Sequence, residues 1–192
     1  MKILILLPAL FLISCASKNE CNTGFQGEHI NYVGHRANIP DSNFVENSVS
    51  ALLNLLQFQQ EKIEFDIQTT KDNKLIVFHD PNTCRTAKAA KNIKNTNYND
   101  LPKLKNGEKI PTLDEYLSII ASNAPYAEVY LDLKLINWDE FYNIILKYNL
   151  NYKVIISSKD LEKNDFLSQC EKLKALNIYS RDSQIAGLRY CE

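Results

Sequence analysis

No excess of charge of either sign marks this 192-residue chain: 22 basic side chains face 23 acidic ones, for a formal net charge of −1. That balance argues against nucleic acid as a general partner, so any electrostatic specialisation has to be local. There is no membrane-spanning run either. The apolar stretch from Ile3 to Ile13 is broken by Pro8 and falls well short of the roughly 20 residues a bilayer-crossing helix needs. The five cysteines, Cys15, Cys21, Cys84, Cys170 and Cys191, are too scattered for a tight zinc site and too few for a disulfide-dense miniprotein. No internal repeat and no low-complexity segment is present. What remains is ordinary globular material, 45% hydrophobic and 23% charged, enough for one domain with a real core.

The N-terminus stands apart from that domain. Lys2 followed by the short apolar run suits a signal-peptide core, and Leu12-Ile13-Ser14-Cys15 resembles the lipobox of bacterial lipoproteins. The resemblance implies a signal peptide over 1–14, acylation of Cys15, and a polar tether over 15–30 leading into a domain over 31–192. It places the protein in the bacterial cell envelope, lipid-anchored to a membrane on the periplasmic or extracellular face. The competing reading is a plain secretory signal with an incidental cysteine. Export in either form means an oxidising compartment, where Cys21, Cys84, Cys170 and Cys191 allow three full pairings.

From residue 31 onward, short apolar strands alternate with helical patterns, which predicts βαβ units and a parallel sheet. Strands are expected at Asn31–His35, Lys62–Gln68, Lys74–His79, Glu128–Leu135 and Tyr152–Ser158, with the start of a sixth at Asn177–Ser180. Helices are expected over Asn47–Gln59, with Val49, Leu52, Leu53 and Leu56 on one face, from Thr112 to about Ser122, over Asp139–Tyr148, and over Asp160–Ala175. Thr112 and Glu115 have capping-box spacing. Residues 81–109 read as a long polar connection.

The ends of these strands carry ionisable groups where a buried parallel strand should be apolar. The first ends in His35-Arg36 and the third in His79-Asp80; the second carries Glu64-x-Asp66 and the fourth Asp132-x-Lys134. Residues two apart on a strand face the same way. Glu64 and Asp66 therefore converge, and two carboxylates so placed repel unless a cation lies between them. An oxygen-only donor set suits Mg²⁺ or Ca²⁺. Each signal alone has an ordinary structural explanation, but in a barrel the C-terminal strand ends form one active-site face.

Gly34-His35-Arg36, Glu46-Asn47-Ser48, Ile63-Glu64-Phe65-Asp66, Thr70-Lys71-Asp72-Asn73, Val77-Phe78-His79-Asp80, Arg85-Thr86, the segment Ile110 to Leu117 and Leu131-Asp132-Leu133-Lys134 follow one another in the order seen in the glycerophosphodiester phosphodiesterases. The sequence resembles that family over about residues 32–158. The resemblance implies a TIM-type (β/α) barrel that hydrolyses glycerophosphodiesters to glycerol phosphate and an alcohol. It further implies that Glu64, Asp66 and Asp132 bind a divalent cation, Ca²⁺ or Mg²⁺. His35 and His79 become the general acid and base, Arg36 and Lys134 hold the substrate phosphate, and Glu46 lies near the metal or the glycerol hydroxyls.

Three positions depart from the pattern: Ala37 stands for a glycine, Val45 for a proline, and Asp132 for a glutamate one methylene longer. The strand count gives about six of the eight that a barrel uses. An incomplete barrel is therefore expected, with apolar residues of Lys74–His79 uncovered, Cys191 near a ragged end, and a free edge on the first strand that a second copy or a partner chain would cover. Two other functions compete with hydrolysis of a soluble glycerophosphodiester. One is a catalytically impaired, phosphate-binding lipoprotein; the other is a related phospholipase acting on intact lipids. Residues 85–109 hold seven basic side chains against two acidic ones, which would attract phosphate substrates to the mouth or simply solvate a loop.

Overall fold

A computed structural model describes residues 33–40, 42–156, 163–176 and 178 of the chain. The expected signal peptide, tether, Cys15, Cys21, Cys191 and nearly all of the sixth strand lie outside the described residues, as does the side chain of Cys170. Among the described residues Cys84 is exposed and free. No helix among them is long and apolar enough to cross a membrane.

Four strands form one sheet: β1 (Lys62–Thr69), β2 (Leu75–Val77), β3 (Glu128–Leu133) and β4 (Asn151–Ile156), in the order β2-β1-β3-β4. β1, β3 and β4 run parallel in matched register, with Lys62 beside Glu128 beside Asn151. The helices lie between them in sequence, as βαβ crossovers require: α1 (Val49–Gln57) precedes β1, α2 (Leu113–Asn123) enters β3, α3 (Trp138–Ile145) links β3 to β4, and α4 (Lys163–Ala175) follows. This is a partial wall of a (β/α) barrel. The first expected strand survives among the described residues as one parallel bridge, Gly34 to Ile63. A Cβ at Gly34 would press on the buried Leu55 side chain of α1, which would have to shift to admit it.

Local chemistry accounts for the helix starts. Ser48, Thr112 and Asn137 each sit at an N-cap in extended conformation and accept a hydrogen bond from the amide three residues on, at 3.1, 3.2 and 3.3 Å. The apolar stripe of α1 is narrower than its spacing suggests. Ala51, Leu52 and Leu55 are buried, whereas Leu53 is 43% exposed. On β1 the two faces divide the work: Ile63, Phe65 and Ile67 pack into the helix-covered core, and Glu64, Asp66 and Gln68 are equally buried on the other side. Tyr116 of α2 closes edge-on against Phe65, with ring centroids 4.9 Å apart.

Three expectations fail here. The segment Lys74–His79 is not a parallel barrel strand: β2 pairs antiparallel to β1, Ile67 against Val77 and Thr69 against Leu75. The connecting residues Thr70 to Lys74 form a tight turn, closed by an amide–carbonyl bond from Thr70 to Lys74 of 2.9 Å, with Asn73 at φ 62°. A short apolar run reads the same in either direction, which is why periodicity cannot distinguish the two pairings. Second, this segment is covered. Leu75 and Val77 join the main core, and Ile76 and Phe78 belong to a second cluster with Ile93, Leu104 and Ile110. Third, the supplier of that cluster is the supposed polar connection. Residues 81–110 fold into a unit with short 3₁₀ turns at Ile93–Asn95 and Tyr98–Asp100 and bridges Asn82–Asn92 and Ala87–Leu104. Its few apolar side chains sit on turns, where neither helix nor strand period reveals them.

Candidate active site

The parallel register of β1 and β3 sets Asp66 beside Asp132, and the two-residue period puts Glu64 on the same face. One oxygen from each of Glu64, Asp66 and Asp132 lies within 4.8 Å of the other two. Glu64 and Asp66 are 5% and 1% exposed. Burial, followed by the charge of Asp66, pushes the Glu64 carboxyl up to about 8. A site that holds three carboxylates together, two of them buried, while one resists ionisation has the donor chemistry of a divalent-cation site: hard oxygens and concentrated negative charge. The residues fit such an ion.

The approach to these carboxylates is cationic on two sides. Lys134, buried two residues after Asp132, reaches Asp132 at 2.6 Å and Asp66 at 3.4 Å. The chain reverses at Arg36 through a left-handed conformation (φ 54°), which aims its amide at Glu64 over 2.7 Å. Its guanidinium binds both oxygens of Glu46, at 3.0 and 3.1 Å, while Nε stands 3.9 Å from Asp66 without a hydrogen-bond partner. Ala37 is also left-handed, at φ 50°, which accounts for the glycine expected there; nothing in the structure explains the alanine that replaces it.

The two histidines enter from different carboxylates. His35 Nε2 lies 3.9 Å from Glu64, with its side chain 69% exposed. Partial desolvation, then the Arg36 charge, lowers its affinity for a proton. His79 Nε2 lies 4.0 Å from Asp66, and its Nδ1 meets Asp80 at 2.6 Å. His79 arrives there because β2 runs back toward the site. The Phe78 amide donates to the Asp66 carbonyl at 3.0 Å, and Gln68 holds the Phe78 and Asp80 carbonyls at 2.8 and 2.7 Å. A cavity of about 330 Å³ opens beside His35, Arg36 and Glu46.

The structure thus brings together all eight predicted site residues it describes: His35, Arg36, Glu46, Glu64, Asp66, His79, Asp132 and Lys134. Sequence reasoning missed three others. Asn47, left-handed at φ 58°, donates to Asp66 at 2.9 Å. Asp80 orients His79. Arg85 donates through both terminal nitrogens to Glu46 and through Nε to Asp80 at 2.7 Å. Burial opposes ionisation of Glu46 and Asp80, yet the Arg85 hydrogen bonds, with Arg36 and His79, hold both carboxyls below their ordinary range. The signal for Arg85 was its place in the Arg85-Thr86 motif; its role could not be read without knowing that 81–110 folds back over the site.

Comparison with known proteins agrees with this geometry. The model of the glycerophosphoryl diester phosphodiesterase family matches residues 34–184. A curated glycerophosphodiester phosphodiesterase of Caldanaerobacter subterraneus subsp. tengcongensis is 27% identical over 139 residues, covering 66% of this chain and 56% of that protein. The crystal structure of glycerophosphodiester phosphodiesterase from Agrobacterium tumefaciens superposes with a TM-score of 0.59 at 22% identity, over 74% of this chain and 60% of that one. A phosphodiesterase of Oleispira antarctica, solved with the product sn-glycerol-3-phosphate, gives a TM-score of 0.57 at 20% identity, over 67% of this chain and 57% of that one. These likenesses establish the barrel fold, and the chain spans little more than half the length of these relatives.

Proposed function

The chain belongs to the glycerophosphoryl diester phosphodiesterase family, and from that premise we propose that it hydrolyses glycerophosphodiesters, such as deacylated phospholipid head groups, to glycerol phosphate and an alcohol. The observation that carries the reading is the cluster of Glu64, Asp66 and Asp132 within 4.8 Å, approached by one histidine from the Glu64 side and another from the Asp66 side.

Glu64, Asp66 and Asp132 would hold a divalent cation, Ca²⁺ or Mg²⁺, which when bound neutralises phosphate charge. Lys134 and Arg36 supply further positive charge toward the same space, so a phosphodiester is held between fixed cations rather than solvated by mobile water. His35 and His79 then move the protons: one removes a proton from the attacking water, the other protonates the alkoxide that leaves as the P–O bond breaks. Asp80 favours the His79 tautomer whose Nδ1 carries hydrogen, leaving Nε2 directed at the Asp66 side. Glu46, gripped by Arg36 and Arg85 beside the cavity, is placed to meet the glycerol hydroxyls.

The test is turnover of glycerophosphocholine by the full chain with added Ca²⁺ or Mg²⁺, repeated after chelation. His35→Ala and His79→Ala are each expected to lower kcat by roughly 10²–10⁴, the usual scale for general acid–base catalysis. Tight phosphate binding without turnover would replace the enzyme by a phosphate-binding protein; turnover of intact lipids only would replace it by a phospholipase. The sequence around Cys15 supports an envelope lipoprotein. Incorporation of labelled fatty acid, abolished by Cys15→Ser, is the expected result, and an unlabelled wild-type chain would reject the anchor.

A further inference from the structure

The unit at residues 81–110 carries seven basic and two acidic residues, a net +5, while the whole chain carries −1, leaving −6 on everything else. The charge is also organised in space. At the Ala87–Leu104 bridge the Lys88 amide donates to the Lys103 carbonyl and the Lys105 amide to the Thr86 carbonyl, both at 2.9 Å. In such an antiparallel pair Lys88 stands opposite Lys103, and Lys105 follows two residues on. The three lysines therefore share the outward face, and Ala87 and Leu104 are buried on the other. The Lys88 ammonium lies over the Gly107 turn, and Lys103 and Lys109 line one shallow cavity with Tyr98 and Leu101. All four lysines are exposed, and no carboxylate lies in ion-pair range of any of them among the described residues. Like charges directly opposite each other on a ribbon are destabilising. The acids of this unit do not relieve the repulsion, since Glu108 is spent on Asn106 and the Ser50 amide.

From this arrangement we infer that the lysine face of residues 81–110 docks on an anionic phospholipid surface. The ammonium groups spread over a ribbon face and turn instead of converging on one enclosed pocket, which suits a plane of negative charge better than a single small anion. Lysine, a strongly hydrated point charge on a flexible stem, suits such non-stoichiometric attraction, whereas arginine suits bidentate capture. Docking through this face would bring a site specialised for phosphodiesters close to the lipids from which such molecules derive. The inference does not depend on the chain being catalytically active.

The experiment is co-sedimentation of the full chain with vesicles of phosphatidylcholine alone and of phosphatidylcholine containing phosphatidylglycerol. The N-terminus, with Lys2, contributes on both kinds of vesicle, and the lysine variant below, which keeps it, separates its share from that of residues 81–110. Binding is expected to be stronger on the anionic vesicles at about 0.15 M salt and to lose that excess near 1 M, where the Debye length falls to about 3 Å. The triple variant K88Q/K103Q/K105Q is expected to lose about five-fold in partition per lysine, roughly a hundred-fold in all. Its thermal midpoint should be unchanged or higher, because a repulsion has been removed. Equal binding to both vesicles, or wild-type partition by the triple variant, would overturn the inference. So would release of the protein from anionic vesicles by millimolar inorganic phosphate at constant ionic strength, which would mark a discrete anion pocket. If the variant fails to fold, the lipid and salt dependence of the wild type decides alone.

Discussion

The parallel ladder of β1 and β3 and the antiparallel return of β2 each deliver half of the candidate site, by different physics. In the ladder, two strands in fixed register and a period of two are enough to converge Glu64, Asp66 and Asp132. Asp66 and Asp132 are far apart in sequence, yet once the crossover has formed the ladder, its register alone aims them at one point. In the return, His79 reaches Asp66 only because a turn at residues 70–74 reverses the chain and a separately packed unit holds it down. The lesson is that the carboxylates follow directly from sheet register, whereas the proton carrier beside them needs a turn and a separately packed unit besides the pairing itself.

The comparison breaks most sharply at the carboxylates. Glu64 has a folded-state pKa near 8, raised first by burial and then by Asp66. A carboxyl raised in the folded state binds more protons there than in the unfolded chain. Stability contributed by the neutral form is therefore present at low pH and is lost as pH rises from about 4.5 toward 8. Metal-free protein should lose roughly a few kcal/mol over that window. Glu64→Gln should flatten the profile and raise the melting temperature at pH 8, while activity falls to background. Saturating Ca²⁺ or Mg²⁺ should restore stability to the wild type but not to the variant. A wild-type melting temperature that is flat from pH 5 to 8 without metal would contradict a strained carboxylate pair.

On the other half, Arg85 tests whether closure matters. It fastens Glu46 and Asp80 from the 81–110 unit, and Asp80 orients His79. Arg85→Ala should lower kcat by about ten-fold or more, less than loss of His79 itself, because geometry degrades while the imidazole remains. Arg85→Lys should recover only part, since one ammonium cannot match two carboxylates at once. Stability should fall by no more than about 1 kcal/mol, as expected for a partly exposed ion pair. A variant with normal kcat and pH profile would show that the return holds His79 without this clasp.

These halves also differ in how far the sequence discloses them. The alternation along Lys62–Gln68, the cap at Thr112, and the shared face of Glu64, Asp66, Asp132 and Lys134 follow from periods and side-chain chemistry, and the structure shows the strand, the cap and the four side chains together. The direction of β2 does not follow, because Leu-Ile-Val fits a parallel or antiparallel slot equally. Ile93, Leu104 and Ile110 form a core with no period, so residues 81–110 resemble a solvated loop until they fold. Leu53 shows the converse error: a leucine at helical spacing that stays exposed. The left-handed Arg36 and Asn47 were equally hidden, since only the bend they make explains why their backbone and side chain meet the carboxylates.

The smallest expected effect probes the turn that separates the two halves. Asn73 sits at φ 62°, its amide donating to the Thr70 carbonyl at 3.0 Å. Thr70 Oγ1 donates to Asp72 at 2.6 Å and receives the Lys74 amide at 3.1 Å. Asp72 in turn accepts from the Tyr98 amide at 2.9 Å, which ties the turn to the 81–110 unit. Left-handed backbone costs an ordinary L-residue about 1 kcal/mol, asparagine less and glycine almost nothing. Asn73→Ala should therefore lower stability by about 1 kcal/mol and Asn73→Gly by at most a few tenths, with the order read from urea midpoints at constant m. Both should leave kcat within about two-fold, because the Phe78–Asp66 and Gln68–Phe78 hydrogen bonds hold His79 downstream of the turn. If Asn73→Ala lowered kcat as far as Arg85→Ala, the turn and not the clasp would be setting the position of His79. The antiparallel return would then owe its geometry to the turn alone, as the ladder owes its own to register.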